Sequence, residues 1–214
     1  MINHNVRDFW INDINLAYRC GNVVYINHPK CASTYYTHLF KANDWEEIKF
    51  NDIQWDTDYV FGFFMDPVSK HAKGIAEDLN SRHRGQIDFF LSLGETFFKD
   101  LGIFGWHCMP LSMRFNEYMY RITWIPLDLE TKSDHLLDKF LKHHNVTIKF
   151  LPVNKHLGNW YQKELSQTIK TLIGNGSAII WQALAKDIDL YNNIREKINV
   201  SEETWPNIYN YQPI

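Results

Sequence analysis

The sequence predicts an α/β fold in which a mostly parallel central sheet is flanked by helices in three layers. Three observations carry that prediction: short apolar β-branched or aromatic runs, amphipathic stretches alternating with them, and a strand–tight loop–helix order at the first clear element. At 214 residues, 45% hydrophobic and 22% charged, the chain suits one domain over 1–214 with its own core. No internal repeat, low-complexity tract or Pro/Gly/Ser-rich linker divides it.

The first element is Val23-Val24-Tyr25-Ile26, a buried-strand pattern after Gly21-Asn22. It runs directly into His28-Pro29-Lys30-Cys31-Ala32-Ser33-Thr34. From Thr34 the residues Tyr35, Tyr36, Leu39 and Phe40 line one side of a helix, whose first turn Ser33 or Thr34 would cap. A second strand is predicted over Tyr59–Phe64. Asp66 then reads as a helix N-cap and Pro67 as the first helical residue of a segment extending to about Leu79. Ile87–Leu101 has helical spacing, Tyr120–Ile125 alternates as a strand, and Thr131–His144 is helical again. A short strand is expected at Lys149–Val153. Two helices follow, Trp160–Ile173 and Ala178–Ile194, divided by Gly174-Asn175-Gly176.

Charge and composition exclude several functions. A net charge of −3 provides no general field for a nucleic-acid backbone or an anionic membrane, so any bound anion must be met by local donors. No apolar run reaches membrane-span length, and Met1–Trp10 lacks the order of a secretory signal. The three widely spaced cysteines form neither a disulfide framework nor a CxxC zinc pair, which places the protein in a reducing compartment, the cytoplasm. The ten histidines include no HExxH pair, and no metal is expected. The many aromatic rings read first as core material and second as stacking platforms for flat or sugar-like ligands.

In α/β folds, ligands gather at the carboxyl ends of strands, where helix N-termini present unpaired N–H groups to phosphate or sulfate. His28–Thr34 falls at such a point. It supplies the cation Lys30, the small Ala32, and the hydroxyls of Ser33 and Thr34. The GxxxxGK[ST] spacing of an ordinary P-loop kinase or ATPase is absent.

The run Tyr25-Ile26-Asn27-His28-Pro29-Lys30-Cys31-Ala32-Ser33-Thr34 resembles the 5′-phosphosulfate loop of sulfotransferases, in particular the carbohydrate O-sulfotransferases of the heparan sulfate 2-O type. The resemblance implies a P-loop-like fold and the cofactor 3′-phosphoadenosine 5′-phosphosulfate. It implies cofactor contacts from Pro29, Lys30, Cys31, Ala32, Ser33, Thr34 and Tyr35, with Lys30 at the leaving phosphate. Phe63-Phe64-Met65-Asp66-Pro67-Val68-Ser69-Lys70 is similar to the family's 3′-phosphate element, often Val-Arg-Asp-Pro-x-x-Arg. Here Met65 replaces the gripping arginine and Lys73 stands where a serine is usual, so Lys73, Ser69 and Lys70 are the alternative phosphate contacts. Trp106-His107-Cys108-Met109-Pro110-Leu111-Ser112 is similar to the family's His-x-x-Pro stretch. Asn154–Trp160 resembles its late cofactor loop and Ala185–Tyr191 its terminal helix.

Sulfuryl transfer to a hydroxyl requires a base at the acceptor and a cation at the leaving oxygen. Lys30 fills the second role and His107 is the first choice for the first, with His28, His71, Glu77 and Asp66 as alternatives. The expected partners are the nucleotide and a hydroxyl acceptor of glycan type. Two other readings stand beside this one: a sulfotransferase-like fold that binds nucleotide or glycan without turnover, and an atypical nucleotide-phosphate transferase.

Overall fold

The computed structural model describes residues 17–82, 84–93, 96, 107–127, 133–151, 160–175 and 177–200. Five strands form one sheet: β1 (Ala17–Cys20), β2 (Val23–Ile26), β3 (Glu46–Ile48), β4 (Tyr59–Phe64) and β5 (Thr123–Pro126), in the order β3-β1-β2-β4-β5. The helices among the described residues are α1 (Ser33–Lys41), α2 (Pro67–Arg82), α3 (Ile87–Ser92), α4 (Leu111–Phe115), α5 (Ser133–His143), α6 (Trp160–Gly174) and α7 (Ala178–Val200).

The α/β class holds, but the sheet is mixed rather than mostly parallel. β2 pairs with β4 and β4 with β5 in parallel, whereas β1 is antiparallel to both β2 and β3. The reason is local: two residues, Gly21 and Asn22, join β1 to β2, and so short a connection permits only an antiparallel hairpin. The edge strand β3 carries Glu46 and Glu47 on its exposed positions, a charged edge that discourages further pairing.

The helix expected over Ile87–Leu101 is present as α3, and most of the remainder lies outside the described residues. The strand expected at Lys149–Val153 fails where it is described. No strand occupies 149–151, and the rest of the expected strand, 152–153, is outside the described residues. The backbone of Lys149 is instead paired with the Asn43 side chain, which donates to its carbonyl at 3.0 Å and accepts from its N–H at 2.7 Å. An amide side chain thus does the work of a neighbouring strand.

Packing on the two sheet faces follows the strand period of two. Tyr25, Phe61 and Phe63 point to one face and meet Tyr36 and Phe40 of α1 and Phe140 of α5. The Tyr36 and Phe63 rings are stacked, with centroids 3.5 Å apart and 8° between planes. Phe64 and Trp124 point to the other face and meet Tyr191 of α7 and Phe115 of α4. Gly62, opposite Trp124 in the parallel register, makes room for that indole: a Cβ there would lie 2.8 Å from Trp124 Cζ3. Helices therefore cover both faces. A second apolar cluster joins α2 to α6 and α7 through Ala72, Ile75, Ala76 and Leu79 against Leu165, Ile169, Ile173 and Leu184. Among the described residues, no helix is long and apolar enough to cross a membrane.

Candidate functional site

After β2 the chain turns back toward β1 and β3, and after β4 it moves the other way to β5. The boundary between β2 and β4 is the point where strand order reverses, the location at which open α/β sheets collect ligands. Because β2 and β4 are parallel and in register, their carboxyl ends lead side by side into the segment 27–32 and into Met65-Asp66.

The first of these segments is shaped for an anion. Lys30 and Ala32 both adopt left-handed backbone conformations, with φ of 63° and 53°. For residues with a Cβ these are uncommon, and left-handed residues near a helix start are a backbone setting in which anion sites are built. Ser33 and Thr34 do not cap α1, as the sequence suggested. Ala32 occupies the cap position without a side-chain cap bond, and the two hydroxyl residues lie inside the first turn. No acidic residue stands in that turn, so the positive end of the helix dipole is not neutralised by its own sequence. Pro29 and Cys31 are buried; burial pushes the Cys31 thiol up to about 12, and the Cys31 N–H donates to the His28 carbonyl at 3.3 Å, which closes the loop on itself. Tyr35 donates its hydroxyl to the Leu151 carbonyl at 3.3 Å and packs on Tyr36, which ties it to the protein rather than to the loop.

The second segment leads into α2 as expected. Asp66 Oδ1 accepts from the Ser69 N–H at 2.7 Å, the N-cap interaction, and Pro67 is the first helical residue. Two ammonium groups flank this turn. Lys73 Nζ lies 3.7 Å from the Met65 sulfur, while Lys170 of α6 donates to Ser69 Oγ at 2.6 Å and stands 3.7 Å from Asp66 Oδ1.

One face of α2 then clamps the segment that carries His107. Lys70 donates from Nζ to the Met109 carbonyl, and His71 Nδ1 donates to the Cys108 carbonyl at 2.8 Å. Gly74 allows the close approach, since a Cβ there would lie 2.5 Å from His107 O and 2.7 Å from Cys108 Cα. One and two turns on, Glu77 and Asp78 receive the imidazole: His107 Nδ1 is 2.9 Å from Asp78 Oδ1, and Nε2 is 3.8 Å from Glu77 Oε1. Positions 70, 74, 77 and 78 fall on one helical stripe, so the helix period itself brings them to the same segment.

Glu77 is also the ion-pair partner of Lys30. The structure therefore brings Lys30 and His107 to the same carboxylate, with all three side chains about one-fifth to one-third exposed. Burial lowers the Lys30 ammonium's pKa; the Asp78 carboxylate opposes that shift and Lys73 adds to it.

No family model, curated protein or solved structure matches the chain.

The alternatives for a base are separated by burial. His28 is 1% exposed and faces the guanidinium of Arg114 at 3.1 Å. Burial, then Lys70 and Arg114, hold its pKa well below the usual imidazole range. His71 is fully buried, and burial with Lys70 lowers it to about 4. Neither can meet an acceptor from solution. Asp66 is occupied as the cap. His107 and Glu77 remain.

Sequence reasoning missed Asp78, Lys170 and Arg114. Each acts across a distance in sequence: Arg114 beneath the loop, Lys170 beside Ser69, Asp78 behind His107. The mid-helix Gly74 was the one local sign that another backbone passes against α2. Asp187, within the predicted terminal segment 185–191, accepts from the Leu111 and Ser112 N–H groups at 2.6 and 2.9 Å and so fixes the start of α4. The expected loop 154–160 lies, up to residue 159, outside the described residues.

Proposed function

We propose that the chain is a sulfotransferase that moves a sulfuryl group from 3′-phosphoadenosine 5′-phosphosulfate to a hydroxyl, on an acceptor of carbohydrate type. The observation that carries the reading is the meeting of Lys30, inside the Pro-Lys-Cys-Ala-Ser-Thr loop, with His107 across Glu77. The residues fit an anionic group. The left-handed backbone at Lys30 and Ala32 and the start of α1, which has no side-chain cap bond, suit an anion, and Ser33 and Thr34 add hydroxyls in the first turn. Lys73 beside the Met65 sulfur and Lys170 on Ser69 and Asp66 put two point charges at the turn where the resembled family has an arginine fork.

The bound cofactor supplies an activated sulfuryl group with a phosphate as its leaving group. Lys30 would meet the charge that develops on that leaving group, an interaction of several kcal/mol in a partly desolvated site. His107, about a third exposed, takes the acceptor proton, since a neutral imidazole is a competent base near neutral pH. Glu77 and Asp78 flank the ring on its two nitrogens.

Calorimetric titration with 3′-phosphoadenosine 5′-phosphate, the desulfated product, tests the reading. Micromolar binding by the parent, lost in Lys30→Ala, is expected, together with transfer of labelled sulfate from the cofactor to at least one glycan in an acceptor panel. Replacement of the arginine by Met65 favours a second reading, nucleotide binding without turnover. Tight binding with no transfer to any acceptor would select it.

A further inference from the structure

Glu77 and Asp78 are adjacent on α2, yet they address opposite nitrogens of one imidazole. An ionised carboxylate only accepts hydrogen bonds, so at 2.9 Å from Asp78 Oδ1 the His107 Nδ1 must be the protonated nitrogen. In the neutral ring the lone pair then sits on Nε2, the nitrogen facing the Lys30–Glu77 pair. Asp78 is itself only 19% exposed, and its carboxylate acts on Lys30 as well, so the four groups form one electrostatic unit.

A carboxylate 3.8 Å from an imidazole lone pair is unfavourable when its charge is free and favourable when that nitrogen is protonated. In the present arrangement Lys30 neutralises Glu77. An anion arriving at the 28–34 loop competes with Glu77 for the same ammonium. We infer that Asp78 and Glu77 are positioning residues for His107: Asp78 fixes the tautomer that aims Nε2 at the reaction centre, and Glu77 exchanges Lys30 for His107 when the cofactor's phosphosulfate takes the lysine. The inference rests on the sulfotransferase reading for the identity of that anion.

His107 Nε2 accepts the proton of the acceptor hydroxyl, and the acceptor oxygen forms its bond to sulfur. The bond from sulfur to the 5′-phosphate oxygen breaks with its electron pair staying on that oxygen, beside Lys30. The imidazolium so formed lies between two carboxylates, Asp78 on Nδ1 and Glu77 on Nε2. When the bisphosphate leaves, Lys30 returns to Glu77, and the imidazolium, having lost one counter-charge, gives its proton to water. The pairing of Glu77 with His107 is thereby tied to occupancy of the loop.

The test uses the full chain and the variants Asp78→Asn and Glu77→Gln. Nitrogen-15 NMR of labelled histidine at about pH 8.5, where unperturbed imidazoles are neutral, reads the His107 tautomer, its resonances identified by their loss in His107→Gln. The parent is expected in the Nδ1-protonated form and Asp78→Asn in a mixture. Calorimetry with 3′-phosphoadenosine 5′-phosphate is expected to give about three- to tenfold tighter binding in Glu77→Gln, which no longer competes for Lys30, and a change under about twofold in Asp78→Asn. The turnover number should fall about 10- to 100-fold in Asp78→Asn with KM for the cofactor nearly unchanged. A purely structural role for the two carboxylates would lower thermal stability and affinity together and leave the tautomer alone. An Nε2-protonated ring in the parent overturns Asp78's role, and unchanged or weaker binding in Glu77→Gln overturns Glu77's. Absence of bisphosphate binding by the parent overturns the functional reading and the Glu77 exchange with it, while the tautomer still decides Asp78.

Discussion

The loop at Lys30 has two sides with similar residue types and opposite character. On its open rim, Lys30, Glu77 and His107 are partly exposed and share charge. On its underside, Lys70 and Arg114 are 3% and 1% exposed, His28 faces Arg114, and His71 is bound to a backbone carbonyl. Burial is the largest influence on every one of these buried groups, lowering Arg114 to about 9 and both imidazoles below their ordinary range. A lysine and a histidine at the rim can do chemistry, whereas the same residue types underneath hold the 107–110 segment and the loop in place. The identity of a side chain therefore says little until its exposure and partners are known.

Changes on the underside should alter stability most. Asp187→Ala leaves the Leu111 and Ser112 N–H groups without their carboxylate and should destabilise the fold by about 3 kcal/mol in urea titration, two charge-assisted bonds being lost. The pH dependence comes next. Because the folded-state pKa values of His28 and His71 lie below the unfolded value, the unfolded chain binds more protons as pH falls below about 6.5. Their contribution is fully present above that pH and is lost on acidification, down to about 4 for His71. Between pH 7.5 and about pH 5 the His71 share of this loss should be about 2 kcal/mol, and His71→Gln should remove it.

Gly74→Ala connects the two sides. The added methyl meets the His107 and Cys108 backbone, so a loss of about 1–2 kcal/mol is expected together with a displaced His107 and slower turnover. The smallest effect belongs to the outer rim. Lys73 is exposed, and Lys73→Ala should weaken bisphosphate binding by about 1 kcal/mol without changing thermal stability. A Lys170→Ala variant of similar effect would show that the two ammoniums share the load left by Met65.

The parts of this arrangement legible in the sequence are those with local causes. The β-branched run of β2, the Asp66-Pro67 helix start and the Pro-Lys-x-Ala-Ser-Thr loop all follow from neighbouring residues, and each stands where the pattern put it. β1 was missed because Ala17-Tyr18-Arg19-Cys20 lacks a β-branched signal and is defined by its hairpin partner. β3 was missed because charged residues suit an edge strand but score against strands in general. The expected strand at 149 was overturned by Asn43, more than a hundred positions away. In the site, Lys30 and His107 were nameable from motif alone, but their meeting depends on how one helix face, from Lys70 through Asp78, grips a distant segment. Helical periodicity marks such a face; only the fold says what it grips.

Calorimetric titration of the parent and Lys30→Ala with 3′-phosphoadenosine 5′-phosphate reads whether the loop at Lys30 holds the nucleotide. Micromolar binding by the parent that disappears in the variant, with both proteins unfolding at similar temperatures, is the expected result. Equal binding by the two proteins, or none by the folded parent, would contradict it.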